Sequence, residues 1–170
     1  MNNIVERIKT SCTVGKTNCD CFELLTDEQN ELIKSNQVTV AYRKGEIIAK
    51  QGTFTTHILY ICDGLAKVYY EECNKSLILR IAASGSLIGL TSLPLNQNVF
   101  QYTASAYVDT TVKLIDINII RQLINENSDF ASAIINILCE ISIQKKWTIF
   151  LFNTPSVVWK AGRYYSMFSR

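Results

Sequence analysis

Six cysteines and one histidine are the residues of this 170-residue chain best suited to redox, nucleophilic or metal chemistry. The cysteines are Cys12, Cys19, Cys21, Cys62, Cys73 and Cys139, and only Cys19 and Cys21 are close in sequence. A Cys-x-Cys pair is a poor zinc pair beside Cys-x2-Cys. The single histidine, His57, rules out a site built on several imidazoles and reads as a surface or strand-end residue. No Gly-x-Ser-x-Gly nucleophile elbow and no Gly-x4-Gly-Lys phosphate loop occurs. These counts argue against an enzyme.

With 17 Lys and Arg against 15 Asp and Glu, the net charge is +2 and the basic residues are scattered. That balance gives no electrostatic case for nucleic-acid binding by this chain alone. Hydrophobic residues make up 48% and charged residues 19%, the balance of a soluble globular protein. Such a length reads as one domain with an appendage, able to bury its own core. No apolar run reaches the roughly 18 residues of a membrane span, and Met1-Asn2-Asn3-Ile4-Val5 opens no signal peptide. The expected location is cytoplasmic, where all six cysteines are expected to be reduced.

Positioning these residues falls to short strands and a few helices. Thr26, with Gln29 three residues on, is a capping-box pattern and predicts a short helix from Asp27 to about Asn36. From Gln37 to Ile115, β-prone runs alternate with turn signals, which indicates an all-β sandwich or barrel. Asp63-Gly64 between two such runs predicts a hairpin. Gly45, Gly52, Gly64 and Gly85 read as turn glycines. A short helix is expected over Ile117 to Asn125, then a break with Ser128 as N-cap. A long helix from Asp129 to Phe152 follows, ended before Pro155. Within it Phe130, Ile134, Ile137, Ile141, Gln144, Thr148 and Leu151 recur at spacings of four and three, the seam of a coiled coil and so of a homodimer. The polar Gln144 and Thr148 weaken that seam, and Cys139 beside it reads as a packing residue.

Several β-region motifs, taken in order, resemble the sensor domain of the Crp/Fnr family of bacterial transcription regulators. They are Arg43-Lys44-Gly45-Glu46-Ile47-Ile48, Lys50-Gln51-Gly52, the run from Ile58 to Val68, the run from Ile81 to Leu90, and Ala104-Ser105-Ala106. The resemblance implies a mainly β fold with flanking helices: a double-stranded β-helix (jelly-roll) barrel, then a long dimerisation helix. It divides the chain into an N-terminal segment (1–24), a cyclic-nucleotide-binding-like β-roll (25–125), the dimerisation helix (126–153) and a residual tail (154–170). The implied function is the effector-sensing and dimerising part of a DNA-binding regulator.

In that family, the segment after the glycine matching Gly89 is the phosphate-binding cassette of cyclic-nucleotide binders. It needs a Glu next for the ribose and an Arg further on for the phosphate, because a desolvated charge without a partner is costly. Leu90 and Phe100-Gln101 stand in those places, so cyclic AMP is not expected to bind in the usual way. The resemblance assigns the effector pocket to Ile88, Gly89, Leu90, Thr91, Ser92, Phe100, Gln101, Tyr102, Thr103 and Ser105. Such a wall suits an uncharged or weakly polar small molecule, or a filled pocket with no ligand. Lys145, Lys146 and Trp147 lie where the long helix passes the family's pocket.

One family branch senses oxygen through an iron–sulfur cluster on N-terminal cysteines plus one barrel cysteine. Cys12, Cys19 and Cys21, with Cys62 or Cys73, lie in the right region, but Cys-x6-Cys-x-Cys departs from that branch's spacing. No cofactor is therefore expected, and a redox or oxygen sensor stands as an alternative. Complete regulators continue into a winged helix-turn-helix domain of roughly 60 residues or more. Only 17 residues follow Asn153. The chain is expected to dimerise without binding an operator, DNA contacts belonging to a missing domain lost by truncation or a frameshift near Ser156. A cupin-like barrel enzyme is the rival from another class, and its several histidines are lacking. A regulatory module of a kinase or channel is disfavoured by the missing phosphate Arg and the seam helix.

Overall fold

A computed structural model describes residues 20–73 and 75–153, and the side chains of 21–73 and 75–143. After a 3-10 turn at Asp20–Leu24, helix α1 spans Asp27–Ser35. Eight strands follow: β1 (Gln37–Tyr42), β2 (Ile47–Ala49), β3 (His57–Asp63), β4 (Leu65–Glu72), β5 (Lys75–Ala83), β6 (Leu87–Ile88), β7 (Thr103–Ala106) and β8 (Thr110–Asp116). Helices α2 (Ile117–Glu126) and α3 (Ser128–Asn153) complete the described chain. The strands form two antiparallel sheets, ordered β1-β8-β3-β6 and β2-β7-β4-β5. This is the jelly-roll expected from the motifs, with helices after it.

Strand β3 is apolar without alternation because both of its faces are covered. Leu59 and Ile61 enter the space between the sheets, with Ala49, Ala66, Val68, Ala82, Ala104 and Val112. Ile58 enters a second core with Ile115, Ile117, Ile120, Leu123, Phe130 and Ile134. Each fully buried Ile contributes about 1.5–3 kcal/mol, so one strand holds the barrel and the helical layer together. Phe22 and Tyr60 meet edge to face in the second core, with ring centroids 5.4 Å apart.

The capping box forms as the spacing predicts: Gln29 N donates to Thr26 Oγ1 (3.3 Å) and Thr26 N to Gln29 Oε1 (3.2 Å). The cap of α3 differs from the expected Ser128. Asn127 has extended backbone, and its Oδ1 accepts from Asp129 N (3.1 Å) and Phe130 N (3.0 Å). Ser128 is already helical, one residue too late to reach those amides.

Asp63-Gly64 is also not a hairpin. Strands β3 and β4 lie in different sheets, so the pair turns the corner between layers. Gly64 has φ of 92°, and a Cβ there would meet the Asp109 carbonyl and, at 2.7 Å, Thr110 Oγ1. The hairpin is instead β4–β5, where Cys73 takes a positive φ of 45°. An Asp-Gly pair reports a required positive φ and cannot report which sheet the next strand joins.

Four members of the seam expected along α3 fall within the described side chains. Phe130, Ile134 and Ile141 are buried against their own chain, and Ile137 is half-buried there. Amphipathic spacing identifies a buried stripe without saying what buries it. Among the described side chains of α3, the exposed large apolar residues are Ile135 and Ile143, at 58% and 59%. Cys139, expected to pack beside the seam, is exposed. The side chains of Gln144, Thr148 and Leu151, and of Lys145, Lys146 and Trp147, lie outside the described residues. So do 1–19 and 154–170, with Cys12, Cys19 and the tail.

Candidate functional site

Where β6 ends, Gly89 adopts φ of 97° and releases the chain into a single 3-10 turn, Leu90–Ser92. A Cβ on Gly89 would lie 3.1 Å from Phe100 Cε1, so the ring closes over bare backbone. The turn is held from behind. Buried Ser92 accepts from Thr55 Oγ1 at 3.0 Å and donates to the Val99 carbonyl at 2.9 Å. From α2, Arg121 Nε donates to the Leu93 carbonyl at 2.9 Å and an Arg121 NH2 to the Ser92 carbonyl at 3.3 Å.

Between this turn, the barrel interior and α3 lies a cavity of about 30 Å³. Its lining is Val68, Arg80, Leu87, Ile88, Gly89, Leu90, Thr91, Tyr102, Leu138 and Ile141. Sites for drug-sized ligands run to roughly 300–1,000 Å³, so the cavity in this conformation is far smaller than such a site.

Five of the ten pocket residues expected from the motifs line this cavity: Ile88, Gly89, Leu90, Thr91 and Tyr102. The other five serve elsewhere. Ser92 ties the turn down, as above. Phe100 packs on the inter-sheet core, and Gln101 Nε2 donates to the Val99 carbonyl at 3.3 Å. Thr103 is fully buried, donating to Glu71 Oε2 at 2.8 Å and accepting from Gln51 N at 3.2 Å. Ser105 is buried in the sheet between Ile47 and Lys67.

Arg80 is the residue that motif reading missed. It breaks the apolar run Leu77-Ile78-Leu79-Arg80-Ile81, and a charge within a strand otherwise so apolar was the available signal. An Arg80 NH2 donates to the Leu87 carbonyl at 2.7 Å. Burial pushes its guanidinium down to about 10, although the residue as a whole keeps some exposure. To the wall expected from the motifs the structure adds a cation, on β5 rather than after the Gly89 turn.

Among the described residues no three His, Cys, Asp or Glu cluster as a metal site. Cys62 is half-buried, Cys73 is exposed, and both are free thiols. Cys21 is 3% exposed and disulfide-bonded, contrary to the expectation that every cysteine is reduced. His57 opens β3, as expected of a strand-end residue, with Nδ1 2.8 Å from Thr56 Oγ1. No described helix is long and apolar enough to cross a membrane.

The family model of the cyclic nucleotide-binding domain matches residues 39–127, the barrel and α2. No curated protein matches the sequence significantly. Among solved structures, the sensor domain of the transcriptional regulator DNR from Pseudomonas aeruginosa is similar at 18% identity and a TM-score of 0.63. That match covers 74% of this chain and 91% of the other. A protein from Eubacterium rectale assigned to the Crp/Fnr family of transcriptional regulators is similar at 18% identity and TM-score 0.69, over 79% of this chain and 64% of its own. The catabolite activator protein of Thermus thermophilus is similar at 20% identity and TM-score 0.62, over 78% and 62%. The chain thus spans less than two thirds of the length of those last two proteins. Likeness at such identities establishes the shared fold, and the family match extends over more than half of the sequence. The chain belongs to the cyclic nucleotide-binding domain family.

Proposed function

We propose that this chain is the effector-sensing and dimerising part of a Crp/Fnr-type transcription regulator, regulatory rather than catalytic. The single observation that carries the reading is the small cavity behind Gly89, walled by the barrel and roofed by Leu138 and Ile141 of α3. A ligand entering there must displace the long helix. It shifts that helix only by binding the displaced state more tightly than the resting one. In a complete regulator the helix passes the change to DNA-binding domains.

Leu90 stands where a cyclic-nucleotide binder presents its ribose Glu, and the 30 Å³ cavity holds no nucleotide. Cyclic AMP is therefore not the proposed effector. The organisation proposed is a β-roll over 25–125 and a dimerisation helix over 126–153, with the second subunit contacted through the outward α3 face bearing Ile135, Cys139 and Ile143. DNA recognition in the whole regulator is assigned to other residues than these.

Calorimetric titration with cyclic AMP tests the effector reading; micromolar binding refutes the exclusion. A mobility-shift assay on the gene's own promoter tests the division of labour. Tight, specific binding by residues 20–153 alone would overturn it.

A further inference from the structure

The barrel wall beneath α3 holds one charge whose partner is missing from the described residues. Val68 and Arg80 stand opposite each other in the β4–β5 ladder, and opposite residues share a sheet face. Val68 belongs to the inter-sheet core, so Arg80 faces inward, into the cavity that both residues line. Its one hydrogen bond among the described residues goes to the Leu87 carbonyl, and no described carboxylate pairs with it. A guanidinium is a planar fork of five N–H donors, matched to the two oxygens of a carboxylate. One carbonyl satisfies only part of that fork. The rest of the wall is chiefly apolar: Leu87, Ile88 and Leu90 from the β6 turn, Leu138 and Ile141 from α3.

We infer that the effector is a small monocarboxylate, its two oxygens on the Arg80 fork and its hydrocarbon against Leu90, Leu138 and Ile141. This rests on the effector-sensing reading above and names the class of molecule sensed. A buried cation gains most from a partner that brings opposite charge and paired acceptors together. An uncharged ligand leaves Arg80 unpaired. An inorganic anion pairs with it but leaves the apolar roof without a partner. The cavity is smaller than such an acid, so its entry moves Leu138 and Ile141. Those residues flank Cys139 on α3, and the outward Ile135 and Ile143 lie within a turn of them. Charge pairing inside the barrel thereby reaches the face proposed for the second subunit.

The test uses the full chain with sodium butyrate and sodium benzoate as probes. Sodium chloride at equal ionic strength, sodium nitrate and 1-butanol are the comparisons. Calorimetry reads affinity, and methyl NMR reads Leu138 and Ile141. Butyrate or benzoate is expected to bind and shift both methyl signals. Arg80→Met is expected to weaken binding roughly 10- to 100-fold, as loss of a charged hydrogen-bond partner does, while the melting temperature of the ligand-free chain does not fall. Arg80→Lys should fall between, keeping the charge and losing the fork. Equal carboxylate affinity in Arg80→Met overturns the inference. Nitrate binding as tightly as butyrate overturns its hydrocarbon half. Butanol shifting the same methyls without help from Arg80, while butyrate and benzoate do nothing, overturns this inference and leaves the sensing reading standing. Silence from acids and alcohol alike, with no methyl shift, brings both down.

Discussion

Arg121 Nε donates to the carbonyl of Leu93 at 2.9 Å, tying helix α2 to the end of the turn that walls the cavity. The same guanidinium reaches the Ser92 carbonyl and, at 3.4 Å, Asn98 Oδ1. In the proposed mechanism, a wall held in this way would direct ligand entry onto the helix opposite it. Arg121→Ala should destabilise the fold by about 1–3 kcal/mol, the scale of charged hydrogen bonds lost to carbonyls. Arg121→Lys should recover only part, because an ammonium cannot span several acceptors as a fork does. Urea unfolding of the three proteins reads both values, and equal midpoints would refute the clamp.

Arg80 predicts the opposite sign. A guanidinium pushed by burial down to about 10, below its ordinary range, carries a desolvation cost on the order of a few kcal/mol. Arg80→Met removes that cost at similar volume and loses one carbonyl hydrogen bond, so ligand-free stability should be unchanged or raised by up to about 2 kcal/mol. The pH dependence follows from the lowered folded value. Below pH 10 both states hold the proton and the penalty is complete. Above it the folded chain releases the proton first, and the penalty declines. The advantage of Arg80→Met should thus be flat from pH 6 to 9 and shrink above pH 10, as read from paired urea curves.

Gly64 and Gly52 separate conformational strain from steric conflict. Both have positive φ, 92° and 80°, but a Cβ on Gly52 meets nothing within 4 Å. Gly52→Ala should cost about 1–2 kcal/mol, the penalty for a side chain in left-handed backbone. Gly64→Ala adds collision with the Asp109 carbonyl and Thr110, and should cost more than about 3 kcal/mol. Thermal melts of the two variants compare them directly, and equal losses would argue against the tight corner.

Asn127 joins three segments. It caps α3, while its Nδ2 donates to the Leu24 carbonyl and to Gln29 Oε1, each at 3.0 Å. Asn127→Ala should cost about 1–2 kcal/mol, at the upper end for a lost cap. Ser128→Ala should change stability by no more than about 0.5 kcal/mol. Chemical denaturation distinguishes them, and a larger loss at Ser128 would restore the cap expected from sequence.

The two faces of α3 make a paired prediction for assembly. Ile135 is exposed and Ile134 is 2% exposed. Ile135→Glu should leave the chain folded and turn a dimer into a monomer in equilibrium sedimentation. Ile134→Glu should unfold it, because a carboxylate there is buried without a partner. A wild-type chain that is monomeric at high concentration would remove the dimer proposal.

Local signals were legible where their physics is local. Thr26 and Gln29 announced their cap, and Gly45, Gly52, Gly64 and Gly85 announced positive φ at all four places. The β-prone runs between Gln37 and Ile115 became strands, because β-branched and aromatic stretches between turn residues have few other uses. The two-residue β6 escaped notice, being too short to show a pattern. Half of the cavity lining was legible through motif order around Gly89, and the rest was not. Val68, Leu87, Leu138 and Ile141 are ordinary core residues in sequence, and only the packing of α3 over β5 makes them walls.

Sequence alone determined the order of elements, the left-handed glycines and the absence of an acid after Gly89, since these depend on neighbours along the chain. Tertiary structure alone decided that Asp63-Gly64 turns between sheets, that Phe130 and Ile134 are covered by their own barrel, and that Arg80 enters the cavity. Those depend on strand register and on which surface meets which. A pattern of apolar spacing states only that a face will be buried, and the partner that buries it is chosen by the packing of the whole fold.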